Sequence, residues 1–152
     1  LVVMSPKSLL RHPLCVSDKS DFTSNHRFQE VLIDDETVSK TKRVVFCSGK
    51  VYYDILEKKL ENERKDVVLV RLEQLYPFPE KQVEKIFKKY KKSEFFWVQE
   101  EPKNMGAWYF ILNQLRDTGI QVISRKASAS PATGFKKIHD KEQADLVEKA
   151  LG

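Results

Sequence analysis

From Arg43 onward the chain alternates between two hydrophobic periods. Short β-rich apolar runs stand at "VVFC" (44–47), "DVVLVRL" (66–72), "EFFWVQ" (94–99) and "IQVISR" (120–125). Between them the spacing becomes helical. Val51 stacks on Ile55, and Tyr52 on Leu56 and Leu60, in "KVYYDILEKKL". Val83, Ile86, Phe87 and Tyr90 repeat the pattern in "KQVEKIFKKYKK", and Trp108, Ile111, Leu112 and Leu115 mark a third helix. Asp140 and Gln143 resemble a capping box ahead of Leu146, Val147 and Ala150. Strands this continuously apolar are buried on both faces by crossover helices. The order therefore predicts an α/β fold, a three-layer α/β/α sandwich on a mostly parallel sheet.

The first 42 residues are less regular. "LVVM" reads as a short strand, and "SPKSLL" offers Ser5 as N-cap with Pro6 at the first helical position. "VSDKSDFTSNHRFQE" is polar and aperiodic, a linker or long surface loop. "FQEVLID" (28–34) is a further strand that would join at the sheet edge. The chain begins with Leu1, inside what reads as a strand, so it is expected to be a piece of a longer polypeptide.

Bulk properties narrow the class. At 152 residues the chain fits one domain, which should bury about 68–70% of its unfolded surface. Its 27 Lys and Arg against 22 Asp and Glu leave a net charge of +5, basic but well mixed. Cys15 and Cys47 are too few and too scattered for a disulfide framework or a zinc site, which suits a reducing compartment. No run approaches the roughly 18 apolar residues of a membrane span. "LVVM" is also too short for the apolar region of a signal peptide.

In an open parallel sheet, functional groups collect beyond the carboxyl ends of the strands. Here those ends read "CSGK" (47–50), "RLEQLYPFP" (71–79), "QEEPKN" (99–104) and "RKASASPATG" (125–134). Glu100 and Glu101 leave the core where Pro102 stops the strand. Adjacent residues on an extended chain point to opposite faces, so the two do not flank one scissile bond as glycosidase carboxylates do. "SGK" (48–50) suggests an anion at a helix N-terminus, with Lys50 adding a full charge. It lacks the P-loop spacing, and Val51 replaces the Mg²⁺-binding hydroxyl, so Ser48 is more simply an N-cap. Arg71 and Arg125 lie at the same expected edge. "ASASPATG" has no G-x-S-x-G elbow, and His12, His26 and His139 fall in or beside loops, which argues against nucleophilic catalysis. Lys88, Lys89, Lys91 and Lys92 interleave with the buried face of one amphipathic helix, as a solvated face does, rather than marking nucleic-acid binding.

Taken together, "VVMSPKSLLRHPL", "CSGKVYYD", "RLEQLYPFP", "VQEEPKNMGAW" and "RKASASPATG" resemble the C-terminal end of the thiamine-diphosphate-dependent 2-oxoglutarate dehydrogenase component. Five motifs occur in the right order from Leu1 to about Gly152. Lys126 stands where many members have Pro, and residues 18–42 are not distinctive. The related 2-oxoadipate enzyme shares some of these motifs.

The resemblance implies a transketolase-like C-terminal domain over residues 43–152, with a five-stranded sheet and one antiparallel edge strand. Residues 15–42 would be linker and edge strand, and 1–14 the tail of a preceding pyrimidine-binding domain. It further implies a homodimeric parent enzyme that decarboxylates 2-oxoglutarate on thiamine diphosphate and Mg²⁺ in the tricarboxylic acid cycle. That enzyme passes succinyl to a lipoyl acyltransferase component, in bacterial cytoplasm or the mitochondrial matrix. Some members take a nucleotide or acetyl-CoA effector near this domain. The chain has neither the G-D-G…N cofactor motif nor the activating glutamate, so this segment is expected to bind no cofactor and to be inactive alone. Ser48, Lys50, Arg71 and Arg125 are then effector-binding candidates. Glu73, Gln99, Glu100, Glu101, Trp108, Ser128 and Ser130 are interface candidates. The competing reading is an autonomous α/β module that binds an anion at Lys50, Arg71 and Arg125.

Overall fold

The computed structural model describes residues 1–23, 26–34 and 40–152. Its regular elements are β1 (Val31–Ile33), β2 (Arg43–Cys47), α1 (Val51–Glu61), β3 (Val67–Leu72), α2 (Glu80–Lys89), β4 (Glu94–Pro102), α3 (Trp108–Gln114), β5 (Gln121–Arg125) and α4 (Lys136–Leu151). The strands form one five-stranded sheet in the order β1-β3-β2-β4-β5. β2 is parallel to both β3 and β4, and β4 to β5, whereas β1 runs antiparallel to β3 at one edge. This is the expected α/β architecture.

Strand alternation explains the two cores. Val44, Phe46, Val68, Val70, Phe95 and Trp97 face α2 and α3, where they meet Val83, Ile86, Trp108 and Ile111. Val45, Cys47, Val67, Leu69, Phe96 and Val98 face α1 and α4, against Val51, Ile55, Leu146, Val147 and Leu151. Successive side chains point to opposite faces, so an unbroken apolar run is what a strand covered on both sides requires.

Four local expectations need correction. Residues 1–4 form no strand and are exposed, since no neighbouring strand among the described residues pairs with them. "SPKSLL" makes only a 3₁₀ turn (Lys7–Arg11) with Pro6 at its N-cap and no side-chain cap from Ser5. The edge strand is shorter than 28–34, although Glu30 O and Asp34 N extend its bonding to Glu73 and Leu69. The Asp140/Gln143 capping box does not exist. α4 starts a turn earlier, at Lys136, and Lys136 pairs with Asp140 inside it. Ser24, Asn25 and positions 35–39 of the expected linker lie outside the described residues.

Two long-range contacts tie the edge strand and the last helix to the rest of the fold. Lys59, only 8% exposed, reaches across to Asp34 Oδ2 at 2.6 Å, and Asp34 Oδ1 accepts from Leu69 N at 2.7 Å. At the other end, Arg43 Nη1 donates to the carbonyl of Lys149 at 2.6 Å, supplying a cation to the last turn of α4.

Candidate functional site at the carboxyl edge of the sheet

The chain moves outward from β2 to β3, then returns past β2 to form β4. The gap between the carboxyl ends of β2 and β4 is therefore the place where winding direction reverses, the usual binding position in open α/β sheets. A cavity of about 590 Å³ opens there. One wall is polar, with Ser48, Gly49, Lys50, Glu100 and Glu101. The other is apolar, with Pro6, Leu75, Tyr76, Ala107 and Phe110.

Gly49 makes the turn out of β2. Its φ of +73° lies in the left-handed region, with open space where a Cβ would stand. That turn displaces the helix start, so Lys50 occupies the N-cap of α1 and Ser48 caps nothing. Lys50 Nζ then lies 2.5 Å from Asp54 Oδ2 and 3.0 Å from Glu100 Oε1. Burial works against its charge, but the hydrogen bonds to Asp54 and Glu100 outweigh it and raise its pKa.

β4 runs three residues beyond the expected "EFFWVQ", through both glutamates to Pro102. A register shift against β5 between Val98 and Pro102 absorbs them. Pro102 ends the strand as expected. Glu100 faces α1 and α4, where Gln143 Nε2 donates to it at 2.9 Å and to Asp54 at 2.7 Å. Glu101 is exposed on the cavity wall.

Beneath the cavity Gln99 is only 3% exposed. Its Oε1 accepts from Trp97 Nε1 and Trp108 N, both at 2.9 Å. Its Nε2 donates to the carbonyls of Met105 at 2.7 Å and Pro102 at 3.1 Å. Of the interface candidates, Gln99 and Trp108 (5% exposed) therefore lie in the core of this chain.

The three expected cations do not converge. Arg71 is on β3, with Nη1 donating to Tyr53 Oη at 2.6 Å and its guanidinium 4.5 Å from the Tyr52 ring centroid. Its Nε is 2.6 Å from Glu73 Oε1 at an ion-pair distance, without hydrogen-bond alignment. Arg125 is on β5, where Nη2 meets His139 Nδ1 at 3.2 Å and donates to Gln143 Oε1 at 3.1 Å. Lys50 and Arg125 are joined through Gln143, while Arg71 stands apart. Ser128 and Ser130 are exposed in the following loop, and Asn104 fixes it by bonding both N and O of Ser128.

Sequence reasoning missed Asp54, Tyr53, Gln143 and Gly106. Only Asp54 was signalled, as a carboxylate four residues after Lys50. The chemistry of the set is that of binding and packing. Lys50 is held charged between carboxylates, and burial pushes the Cys47 thiol far above its usual range. Among the described residues, no three His, Cys, Asp or Glu side chains converge to hold a metal. No described helix is long and apolar enough to cross a membrane.

Residues 16–151 match the family described as 2-oxoglutarate dehydrogenase C-terminal. The chain belongs to this family. It is 46% identical to a 2-oxoglutarate dehydrogenase E1 component of Haemophilus influenzae over 99% of its length. It is 44% identical to one from Rickettsia typhi over its full length, and 45% identical to one from Cupriavidus necator over 99%. The chain spans about a sixth, 17%, of each of these relatives. Within this 2-oxoglutarate dehydrogenase C-terminal segment, four of the five stretches that carried the resemblance contribute to the cavity between β2 and β4: "VVMSPKSLLRHPL" through Pro6, "CSGKVYYD", "RLEQLYPFP" and "VQEEPKNMGAW".

Proposed function

We propose that this chain is the non-catalytic C-terminal assembly and regulatory domain of a 2-oxoglutarate dehydrogenase decarboxylating component. The parent enzyme would oxidatively decarboxylate 2-oxoglutarate on thiamine diphosphate and Mg²⁺ held by other domains, and pass succinyl to a lipoyl acyltransferase component. It would act as a homodimer in the tricarboxylic acid cycle, in bacterial cytoplasm or the mitochondrial matrix. Residues 1–14 would close the preceding domain, 15–42 would link to it, and 43–152 would be the domain proper. The observation that carries this reading is identity near 45% along the whole chain to proteins about six times longer.

Within that role, Glu73, Glu101, Ser128 and Ser130 remain available for contact with neighbouring domains or the second subunit. An anionic effector, a nucleotide or acetyl-CoA phosphate, would engage Lys50 beside Ser48 and Gly49, where the cavity is open. It would have to compete with Glu100 and Asp54 for the ammonium. Arg71 and Arg125 would act only through rearrangement of their present partners.

A chimera tests the reading. Replacing the matching C-terminal segment of the Haemophilus influenzae enzyme with this chain should preserve the dimer and 2-oxoglutarate-dependent CO₂ release. The 152-residue chain alone should release none, and thiamine diphosphate with Mg²⁺ should leave its Tm unchanged, because only ligands of the native state raise it. An inactive, monomeric chimera, or CO₂ release by the chain alone, would overturn the assignment.

A further inference from the structure

The two edges of the sheet are unlike. β1 is three residues long and tied down by Asp34, a short edge of the kind that resists further pairing. Among the described residues β5, "QVISR", pairs only with β4, and it contains neither lysine nor proline. Arg125 O accepts from Lys103 N on the β4 side. Alternation then turns the main-chain groups of Val122 and Ser124 outward.

Beside this open edge lies a groove of about 570 Å³ between β5 and the outer face of α4. Lys137, Lys141, Asp145 and Lys149 follow one another at four-residue spacing along that helix face, and Lys126 closes the end. All four lysines are exposed, and among the described residues none has an ion-pair partner. Arg125 lines the same groove, with Glu142 and Asp145 as its carboxylates. Half-exposed Ile138 and buried Leu146 supply apolar surface between the charges.

We propose that the β5 edge and the lysine face of α4 form a docking groove for an acidic, extended polypeptide segment. The segment would add to β5 as a sixth strand. Main-chain hydrogen bonds to Val122 and Ser124 would supply register, and alternate carboxylate side chains would meet Lys126, Lys137, Lys141 and Lys149. Charge selects this occupant over a second copy of the chain, because pairing β5 with β5 would bring two unneutralised lysine faces together. The proposal is independent of the role assigned to the cavity between β2 and β4.

The test uses a labelled ten-residue peptide of alternating Glu and Val or Thr, titrated into the intact chain by fluorescence anisotropy. Saturable binding that weakens with salt is expected, with slower amide exchange at Val122 and Ser124. Double charge reversal, Lys137→Glu with Lys141→Glu, should weaken it roughly tenfold while Tm stays near wild type, since both side chains are solvated. A peptide of the same charge carrying two prolines should bind far more weakly. Absence of saturable binding would overturn the proposal. So would equal affinity for the proline peptide, indifference to the charge reversal, or tighter binding of oligo-dT at the same groove, which would make this a nucleic-acid surface.

Discussion

Trp97 Nε1 donates to Gln99 Oε1 at 2.9 Å, two residues along the same face of β4. A large apolar ring and a buried amide thus complete one another, and Gln99 spends its remaining capacity on Trp108 N and on the carbonyls of Met105 and Pro102. The amide joins the end of β4, the turn after it and the start of α3. Gln99→Ala should therefore cost about 3 kcal/mol or more, because each buried partner left unsatisfied costs about 1–3 kcal/mol. Gln99→Glu should also destabilise, since a carboxylate would face the Met105 and Pro102 carbonyls. Urea unfolding checks both, and a loss below about 1 kcal/mol for the alanine variant would show that water replaces the amide.

Gly106 is predicted to be the least replaceable of the turn glycines. Its φ is +66°, and a Cβ there would stand 3.0 Å from Gln99 Nε2. Gly119 has nearly the same φ, +72°, with nothing within 4 Å of the Cβ position. Gly119→Ala should cost about 1–2 kcal/mol for the left-handed backbone alone. Gly106→Ala should cost more by the amount needed to displace Gln99. Equal losses in thermal or urea unfolding would mean that the amide yields freely.

The Lys59–Asp34 pair holds the antiparallel edge strand to α1. Lys59 is almost wholly buried, so removing its carboxylate leaves an uncompensated charge. Asp34→Ala should destabilise by about 3–5 kcal/mol, the range for a broken buried pair. Lys59→Met should cost less, because Asp34 keeps its bond from Leu69 N. The order of the two midpoints decides the matter, and a milder effect for Asp34→Ala would refute it.

Stability should fall on the alkaline side. The pKa of Lys50 is raised in the folded chain, since Asp54 and Glu100 outweigh its burial. Its contribution is complete below the unfolded value near about 10.4 and is lost as pH rises through the higher folded value. Burial pushes the Tyr52 phenol up to about 12. Its unfolded counterpart ionises near about 10, so stability declines between these values. Tyr52→Phe and Lys50→Met should each flatten the fall in Tm above pH 10. Identical alkaline slopes for wild type and both variants would exclude this origin.

The apolar runs from Val44 to Ile123 determined the strand sequence, both faces of the sheet and the carboxyl edge, because burial on two sides imposes a signal on every residue of a strand. Pro102 marked the end of β4 for an equally local reason, its missing N–H. Helix starts were less legible. Gly49 shifted α1 past Ser48, and the polar first turn of α4 hid its beginning from any hydrophobic period. Tertiary structure alone decided which charges meet. Lys50, Arg71 and Arg125 share an edge in the sequence pattern, yet Gln143 from α4 joins Lys50 to Arg125 across 43 positions from Glu100, while Tyr53 and Glu73 hold Arg71 apart. Partners so distant along the chain leave no periodic trace, because their geometry exists only after the sheet has formed and α4 has packed on it.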